Sequence, residues 1–268
     1  MQLVGCDLPL HAEAGRYRAV VERIKHDGRV AGALVTSHKI DLFEACRDLF
    51  DTVDAYAELC GEASGLAGRG GTVTAFATDP ISSARALDDF YTSGAPAEVL
   101  CLGGGGSATA ITVQLLERRL AGGLTVVDTS PDRLARIRAV HEKLGPAPHI
   151  DYVESLGATT NDRLVGALPP GAIVVNATGL GKDLPGSPIS DGAVFPEGGY
   201  AWDLNYRGDL RFLGQARAQQ ESRHLRLEDG WRYFIHGWAA VIGRVFDIVI
   251  DKEKTAALAA IAETERPG

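Results

Sequence analysis

Long apolar runs are missing from this sequence. No stretch of its 268 residues approaches the roughly 20 apolar residues that a membrane span needs. The opening MQLVGCDLPL has no basic segment leading into an apolar one, so neither a membrane association nor a signal peptide is expected. Excess positive charge is missing too: Lys and Arg number 27 against 35 Asp and Glu, a net charge of -8. A broad nucleic-acid footprint needs clustered basic residues, so none is expected. The local run of Arg133, Arg136 and Arg138 reads as a solvated helix face. Cysteine is sparse. Cys6, Cys46, Cys60 and Cys101 show no CxxC spacing, which excludes the usual zinc and disulfide frames and fits reduced thiols of a cytoplasmic protein. What remains is an ordinary balance, 45% hydrophobic and 23% charged, enough to core one large domain or two smaller ones.

Strand and helix patterns alternate along the chain. LVGCDLPL is a short apolar run closed by proline. Tyr17, Val20, Val21 and Ile24 follow helical spacing. ALVTSHKI reads as a buried strand that ends on His38 and Lys39. Leu42, Phe43, Cys46, Leu49 and Phe50 then recur at helical intervals through residue 59, and TVTAFATDP carries a strand that stops at Asp79-Pro80. After TSGAP come the strand AEVLCL, a glycine turn with its helix, the strand LTVVD, the helix SPDRLARIRAVHEKL with Ser at its cap and Pro in its first turn, and the strands AIVVNATG and YAWDLNY. The run GWRYFIHGWAAVIGRVFDIVI reads as a helix packing back on the first part, and the charged tail from Asp251 as a surface helix. Such alternation implies an α/β fold with βαβ units and a mostly parallel sheet. The expected division is 1–84 completed by 229–268, and 85–228.

The glycine turn carries the most chemistry. Gly103-x-Gly105-x-x-Ala108 follows a strand, opens a helix, and has Asp128 at the end of the next strand, 25 positions after Gly103. This is the context in which Gly103, Gly105, Gly106 and Ser107 bring backbone amides and a helix N-terminus to a dinucleotide pyrophosphate. The alternative is a plain tight turn, against which four consecutive glycines weigh by their entropic cost. Asp128 at a strand end accepts ribose hydroxyls and repels a 2'-phosphate, favouring NAD, while Arg133 offers NADP a partner. The alternative for Asp128 is a helix cap. Asn176, Ala177 and Thr178, at the end of a later strand, are placed to meet the nicotinamide side, or else form a simple turn.

Lys39 and Asp79 end strands at corresponding places in the first unit. If those strands are parallel neighbours, both side chains stand at one rim, where a cleft would take a small ligand. A Lys/Asp pair there can orient a hydroxyl and relay its proton. The alternative is a structural salt bridge.

These residues resemble the shikimate/quinate dehydrogenase family along nearly the whole chain. ALVTSHK is similar to its Asn-Val-Thr-x-Pro-x-Lys segment, ATDPIS to Asn-Thr-Asp-Gly-x-Gly, LGGGGSATAI to its glycine loop, VVNATGLG to its Asn-Ala-Thr segment, and DLNY to the stretch before its Tyr-x-Pro. The resemblance implies an N-terminal α/β substrate domain and a Rossmann-type dinucleotide domain, with Lys39 and Asp79 catalytic. It implies substrate contacts from Thr36, Ser64, Tyr206 and the position of Gly237. Departures accompany it. The family's N-terminal Ser-x-Ser carboxylate holder has no counterpart. Ser64 stands for an asparagine, Gly237 for a glutamine, and Ala77 and Pro80 flank the aspartate in place of Asn and Gly.

The expectation is therefore an NAD(P)-dependent oxidoreductase, with no metal, acting on a secondary alcohol or ketone of a small polar, cyclic substrate other than shikimate itself. A non-catalytic dinucleotide-binding sensor on the same scaffold is the alternative. The sequence leaves the oligomeric state open, a homodimer included.

Overall fold

The computed structural model describes residues 2–182 and 184–266, and its contacts divide the chain into two units. One comprises Met1–Thr78 with Trp238–Ile250, the other Asp79–Gly237 with Asp251–Gly268. The border thus falls at Thr78/Asp79 rather than near residue 84. Of the C-terminal stretch, only Trp238–Ile250 returns to the first unit.

The first unit begins with α1 (Ala14–His26), whose Tyr17, Val21 and Ile24 form a buried stripe at helical spacing. There follow β1 (Gly32–Leu34), α2 (Lys39–Cys46), β2 (Thr52–Val53), α3 (Ala55–Cys60), β3 (Gly65–Arg69) and β4 (Thr72–Phe76). The sheet order is β1-β3-β4-β2. β3 and β4 are a hairpin closed by Gly70 and Gly71 at φ +54 and +83, the two-residue turn that matches strand twist. β1 also runs antiparallel to β3, and β2 parallel to β4. This sheet is therefore mixed. β1 and β4 share a direction but are not neighbours, because β3 lies between them.

Three local expectations change here. ALVTSHKI is a strand only to Leu34. Val35 still donates to Ser64 O at 2.9 Å, but Ser37 takes φ +54, which ends the ladder and starts a helix at Lys39. The helical run expected through residue 59 is split, because β2 intervenes and Asp54 caps a second helix by accepting from Ala57 N at 2.8 Å. LVGCDLPL pairs with neither sheet edge and forms no strand, leaving Leu3 and Val4 exposed.

The second unit contains α4 (Asp79–Phe90), β5 (Ala97–Leu102), α5 (Gly106–Glu117), β6 (Ala121–Asp128), α6 (Pro131–Glu142), β7 (His149–Glu154), α7 (Ala158–Gly166), β8 (Ile173–Asn176), β9 (Tyr200–Asp203), α8 (Arg211–Arg217) and β10 (Arg226–Glu228). α9 (Trp231–Phe246) divides between the units at Gly237/Trp238, and α10 (Lys252–Glu263) is a mostly exposed surface helix. All six strands pair in parallel in the order β7-β6-β5-β8-β9-β10. This is the doubly wound Rossmann arrangement, whose order reverses between β5 and β8. Both faces of the sheet are covered. Val99, Cys101, Ile173, Val175 and Trp202 enter one apolar cluster, while the alternate residues Leu100, Leu102, Val174 and Ala201 enter the other. β7 and β10 escape the sequence pattern because β7 is a half-exposed outer strand and β10 has three residues.

No helix among the described residues is long and apolar enough to cross a membrane. The four cysteines are free; Cys46, Cys60 and Cys101 are buried and Cys6 is exposed.

Candidate functional site

The exit of β5 is shaped by one glycine. Gly103 sits at φ +111, and a Cβ there would lie 2.6 Å from Ala177 O. Only glycine lets the chain turn so close to the exit of β8. The contact is fixed by Gly103 N donating to Val127 O at 2.6 Å and Ala177 N to Leu102 O at 2.7 Å. Gly105 then caps α5 in extended conformation and has no side chain to cap the first-turn amides of Gly106, Ser107 and Ala108. A half-buried turn of this kind, at the reversal point of a parallel sheet, fits a pyrophosphate.

Asp128 closes the turn from the side. Its Oδ2 accepts Gly104 N at 2.7 Å and its Oδ1 accepts Ser130 N at 2.8 Å. The side chain is only 6% exposed, whereas that of Arg133, 3.9 Å from Oδ1 through Nη1, is 64% exposed. The carboxylate thus braces the glycine turn and offers a ribose little surface. The guanidinium is the accessible charge.

At the end of β8, Asn176 is enclosed. Its Nδ2 donates to Asp203 Oδ1 at 3.0 Å and to Leu180 O at 3.4 Å. Its Oδ1 accepts Thr178 N at 3.2 Å and Thr178 Oγ1 at 2.7 Å. Asn205 completes the network by donating its N to Asp203 Oδ1 at 3.0 Å and its Nδ2 to Leu180 O at 2.8 Å. Burial pushes the Asp203 carboxyl up to about 7 against the hydrogen bonds from Asn205 and Asn176. Asn176 therefore shapes the Ala177–Leu180 loop from within, while half-buried Ala177 and exposed Thr178 form its surface.

Tyr206 is half-buried in an aromatic group with Phe234 at 4.5 Å and Trp231 at 5.7 Å between ring centroids. The Lys182 ammonium and the Arg207 guanidinium stand 5.5 and 6.0 Å from its ring. Neither cation was foreseen; both lie in loops after strands, where sequence alone does not fix direction.

In the first unit, Lys39 opens α2, half-buried, and its carbonyl accepts Ala63 N at 3.0 Å. Thr36 is exposed beside it. Ser64, 2% exposed, accepts Thr78 N on its Oγ at 2.6 Å, and that Oγ lies 3.1 Å from Thr78 Oγ1. The Ser64 hydroxyl thus fastens the end of β4. Glu62, which sequence reasoning passed over, is a carboxylate only 1% exposed in the turn before β3. Its signal was an acid in an otherwise small-residue stretch, GEASGL.

In the second unit, Asp79 is the first residue of α4 and 6% exposed. Tyr233 Oη donates to its Oδ2 at 3.0 Å. At Gly237, one turn further along α9, a Cβ would rest 3.6 Å from Ser82 Oγ, in ordinary contact.

No protein-family model matches the sequence. Among curated proteins, the chain is 31% identical over 175 residues to the shikimate dehydrogenase (NADP(+)) of Streptococcus gordonii, covering 63% of this chain and 58% of that one. It is 28% identical over 240 residues to the enzyme of the same name from Symbiobacterium thermophilum, covering 87% and 78%. The chain spans about half the length of the first two curated relatives that it matches, 58% and 47%. Among solved structures, the quinate dehydrogenase of Corynebacterium glutamicum in complex with NAD superposes with a TM-score of 0.75 at 19% identity, over 92% of this chain and 82% of that one. The 5-ketofructose reductase of a Gluconobacter strain gives 0.71 at 22%, over 97% and 86%. The shikimate 5-dehydrogenase of Thermus thermophilus in complex with shikimate gives 0.68 at 25%, over 96% and 85%. In sequence and in fold, the chain is thus similar to shikimate dehydrogenases.

Proposed function

We propose that the chain is an NAD(P)-dependent oxidoreductase that interconverts a secondary alcohol and a ketone on a small polar, ring-shaped substrate of the shikimate/quinate kind. The observation that carries this reading is the β5–Gly103–α5 turn at the sheet reversal, where a side chain at Gly103 would strike Ala177 O at 2.6 Å. Gly103, Gly105, Gly106 and Ser107 hold the pyrophosphate on open amides. Ala177 and Thr178 line the nicotinamide side, and Arg133 stands ready for a 2'-phosphate. The relatives' names point the same way, as NADP-dependent shikimate dehydrogenases and a quinate dehydrogenase in complex with NAD.

A bound nicotinamide supplies the hydride acceptor or donor. This chain's residues handle the proton: an Asp79 carboxylate oxygen orients the reacting hydroxyl, and Lys39 Nζ relays the hydroxyl proton. Thr36 and Tyr206 contribute substrate contacts. The substrate differs from shikimate, because Gly237 has no side chain to offer and the Ser64 hydroxyl already serves Thr78 N.

The test is growth of the reduced-nicotinamide absorbance with NAD or NADP and a panel of quinate, shikimate and neutral ring polyols. Turnover that Lys39→Ala abolishes, with dinucleotide affinity kept, supports the reading. Those same two positions, Ser64 and Gly237, also favour a second reading, a dinucleotide-binding sensor. Tight dinucleotide binding with no turnover on any panel member would favour the sensor.

A further inference from the structure

We propose that Tyr233 is the positioning residue for Asp79, holding the carboxylate in the orientation that proton transfer uses; this rests on the acid–base reading above. The phenol is well placed to act as a fixed donor. Its ring meets Trp202 edge-on, with centroids 6.3 Å apart and planes at 84°, and Trp202 is fully buried in the β9 layer. Tyr233 packs on the same apolar cluster. The ring is therefore anchored by the core, and the Oη at its tip donates to Asp79 Oδ2 at 3.0 Å.

Asp79 is held at its other end as well, since Ser83 Oγ donates to the Asp79 carbonyl at 2.7 Å, tying its backbone into the first turn of α4. A carboxylate turns about a broad, two-fold terminal torsion. A donor anchored by the core and bonded to one of its oxygens restricts that freedom. Proton transfer is sensitive to such orientation, because a misplacement of about 1 Å can cost about a hundredfold in rate. The neighbouring positions agree. α9 meets α4 again one turn on, where Gly237 leaves room above Ser82. The helix face that orients Asp79 is thus also the face made bare by a glycine. The sequence places an aromatic donor at 233 and nothing at 237, so the contribution of α9 is directed at the aspartate.

The test compares Tyr233→Phe, Asp79→Asn and the double variant of the full chain, using whichever panel substrate the wild type turns over. Phenylalanine keeps the ring and its packing. Tyr233→Phe is expected to lower kcat by about ten- to a hundredfold. Dinucleotide affinity, measured by fluorescence titration, should stay within about twofold, less than 0.5 kcal/mol. In the Asp79→Asn background the same substitution should cost almost nothing further, because a residue that acts through another loses its effect when that partner is gone. A wild-type kcat in Tyr233→Phe, or an undiminished penalty in the Asp79→Asn background, overturns the proposal. Should Asp79→Asn fall below detection, the solvent isotope effect on kcat decides. An increase in Tyr233→Phe supports the positioning role and an unchanged value overturns it. A wild-type protein without turnover, or an Asp79→Asn variant at full rate, fails earlier: it removes the acid–base reading itself and this role with it.

Discussion

Asn176 and Asp203, the last residues of two adjacent parallel strands, are joined by a 3.0 Å hydrogen bond from Nδ2 to Oδ1 in a place solvent does not reach. The carboxyl pays for its burial with a pKa of about 7. It holds a proton in the folded state that the unfolded chain, with a value near 3.8, has released. The sign follows: stability is lost as pH rises from about 4 to 7, and the loss is complete above 7. Asp203→Asn keeps the Oδ1 acceptor and cannot ionise. Urea denaturation should find it more stable than wild type at pH 8, by up to about 4 kcal/mol, and equal to it near pH 4.

His141 acts in the opposite sense. It is 2% exposed, with Nε2 at 2.8 Å from Thr112 Oγ1 and Nδ1 at 2.8 Å from Tyr152 Oη, and burial lowers its pKa to about 4. Its contribution is fully present above about 6.5 and is lost as pH falls toward 4. The Glu228 carboxyl, which burial also pushes up to about 7, slopes the same way as Asp203. In an Asp203→Asn, Glu228→Gln background, acid titration between pH 6.5 and 4 should therefore show a monotonic loss of stability. A flat profile would contradict the neutral, buried imidazole.

Gly103→Ala should damage both fold and binding. The new methyl meets backbone oxygen at 2.6 Å, with φ in the left-handed region, and neither β5 nor β8 can retreat without breaking ladder bonds. A destabilisation of about 2 kcal/mol or more and loss of dinucleotide binding are expected, read by thermal melting and by titration.

Dinucleotide choice should follow Arg133 more than Asp128. Arg133→Ala should weaken NADP by about tenfold, roughly 1.4 kcal/mol, and leave NAD nearly unchanged. Asp128→Ala releases the Gly104 and Ser130 amides and should weaken both dinucleotides together. If Asp128→Ala instead improved NADP alone, the carboxylate would be acting by repulsion, as its place at a strand end first suggested.

Shikimate should be a poor substrate. A carboxylate that leaves water without a partner loses several kcal/mol, and neither Gly237 nor the committed Ser64 hydroxyl supplies one. A kcat/KM for shikimate above about 10⁴ M⁻¹s⁻¹ would refute this, since that is the range of enzymes on their own substrates.

What could be read in advance was local. The turn from Gly103 to Ser107 announces itself because strand, glycines and helix are consecutive, and Ser130 with Pro131 marks the start of α6 for the same reason. The setting expected for Lys39 and Asp79, on two neighbouring strand ends, was misjudged. A single residue, Ser37, in left-handed conformation turned an expected strand end into a helix start, and an antiparallel strand separated two expected neighbours. The Asn176–Asp203 bond spans 27 residues and the Tyr233–Asp79 bond 154. Both depend on which elements pack side by side, and no periodicity in one stretch encodes that.

The division of the chain has a consequence for its synthesis. Ala67 and Phe76 of the first unit are covered by Val241, and Asp54 is paired by Arg244 Nη1 at 2.7 Å. Val241 and Arg244 are synthesised some 165 residues after Phe76, a separation read from positions 76 and 241. The second unit's six strands, in contrast, lie in one unbroken stretch. A nascent chain will thus carry a complete dinucleotide-type sheet while its first unit still shows an apolar face. That interval is when chaperones would engage it and when truncation would be most damaging.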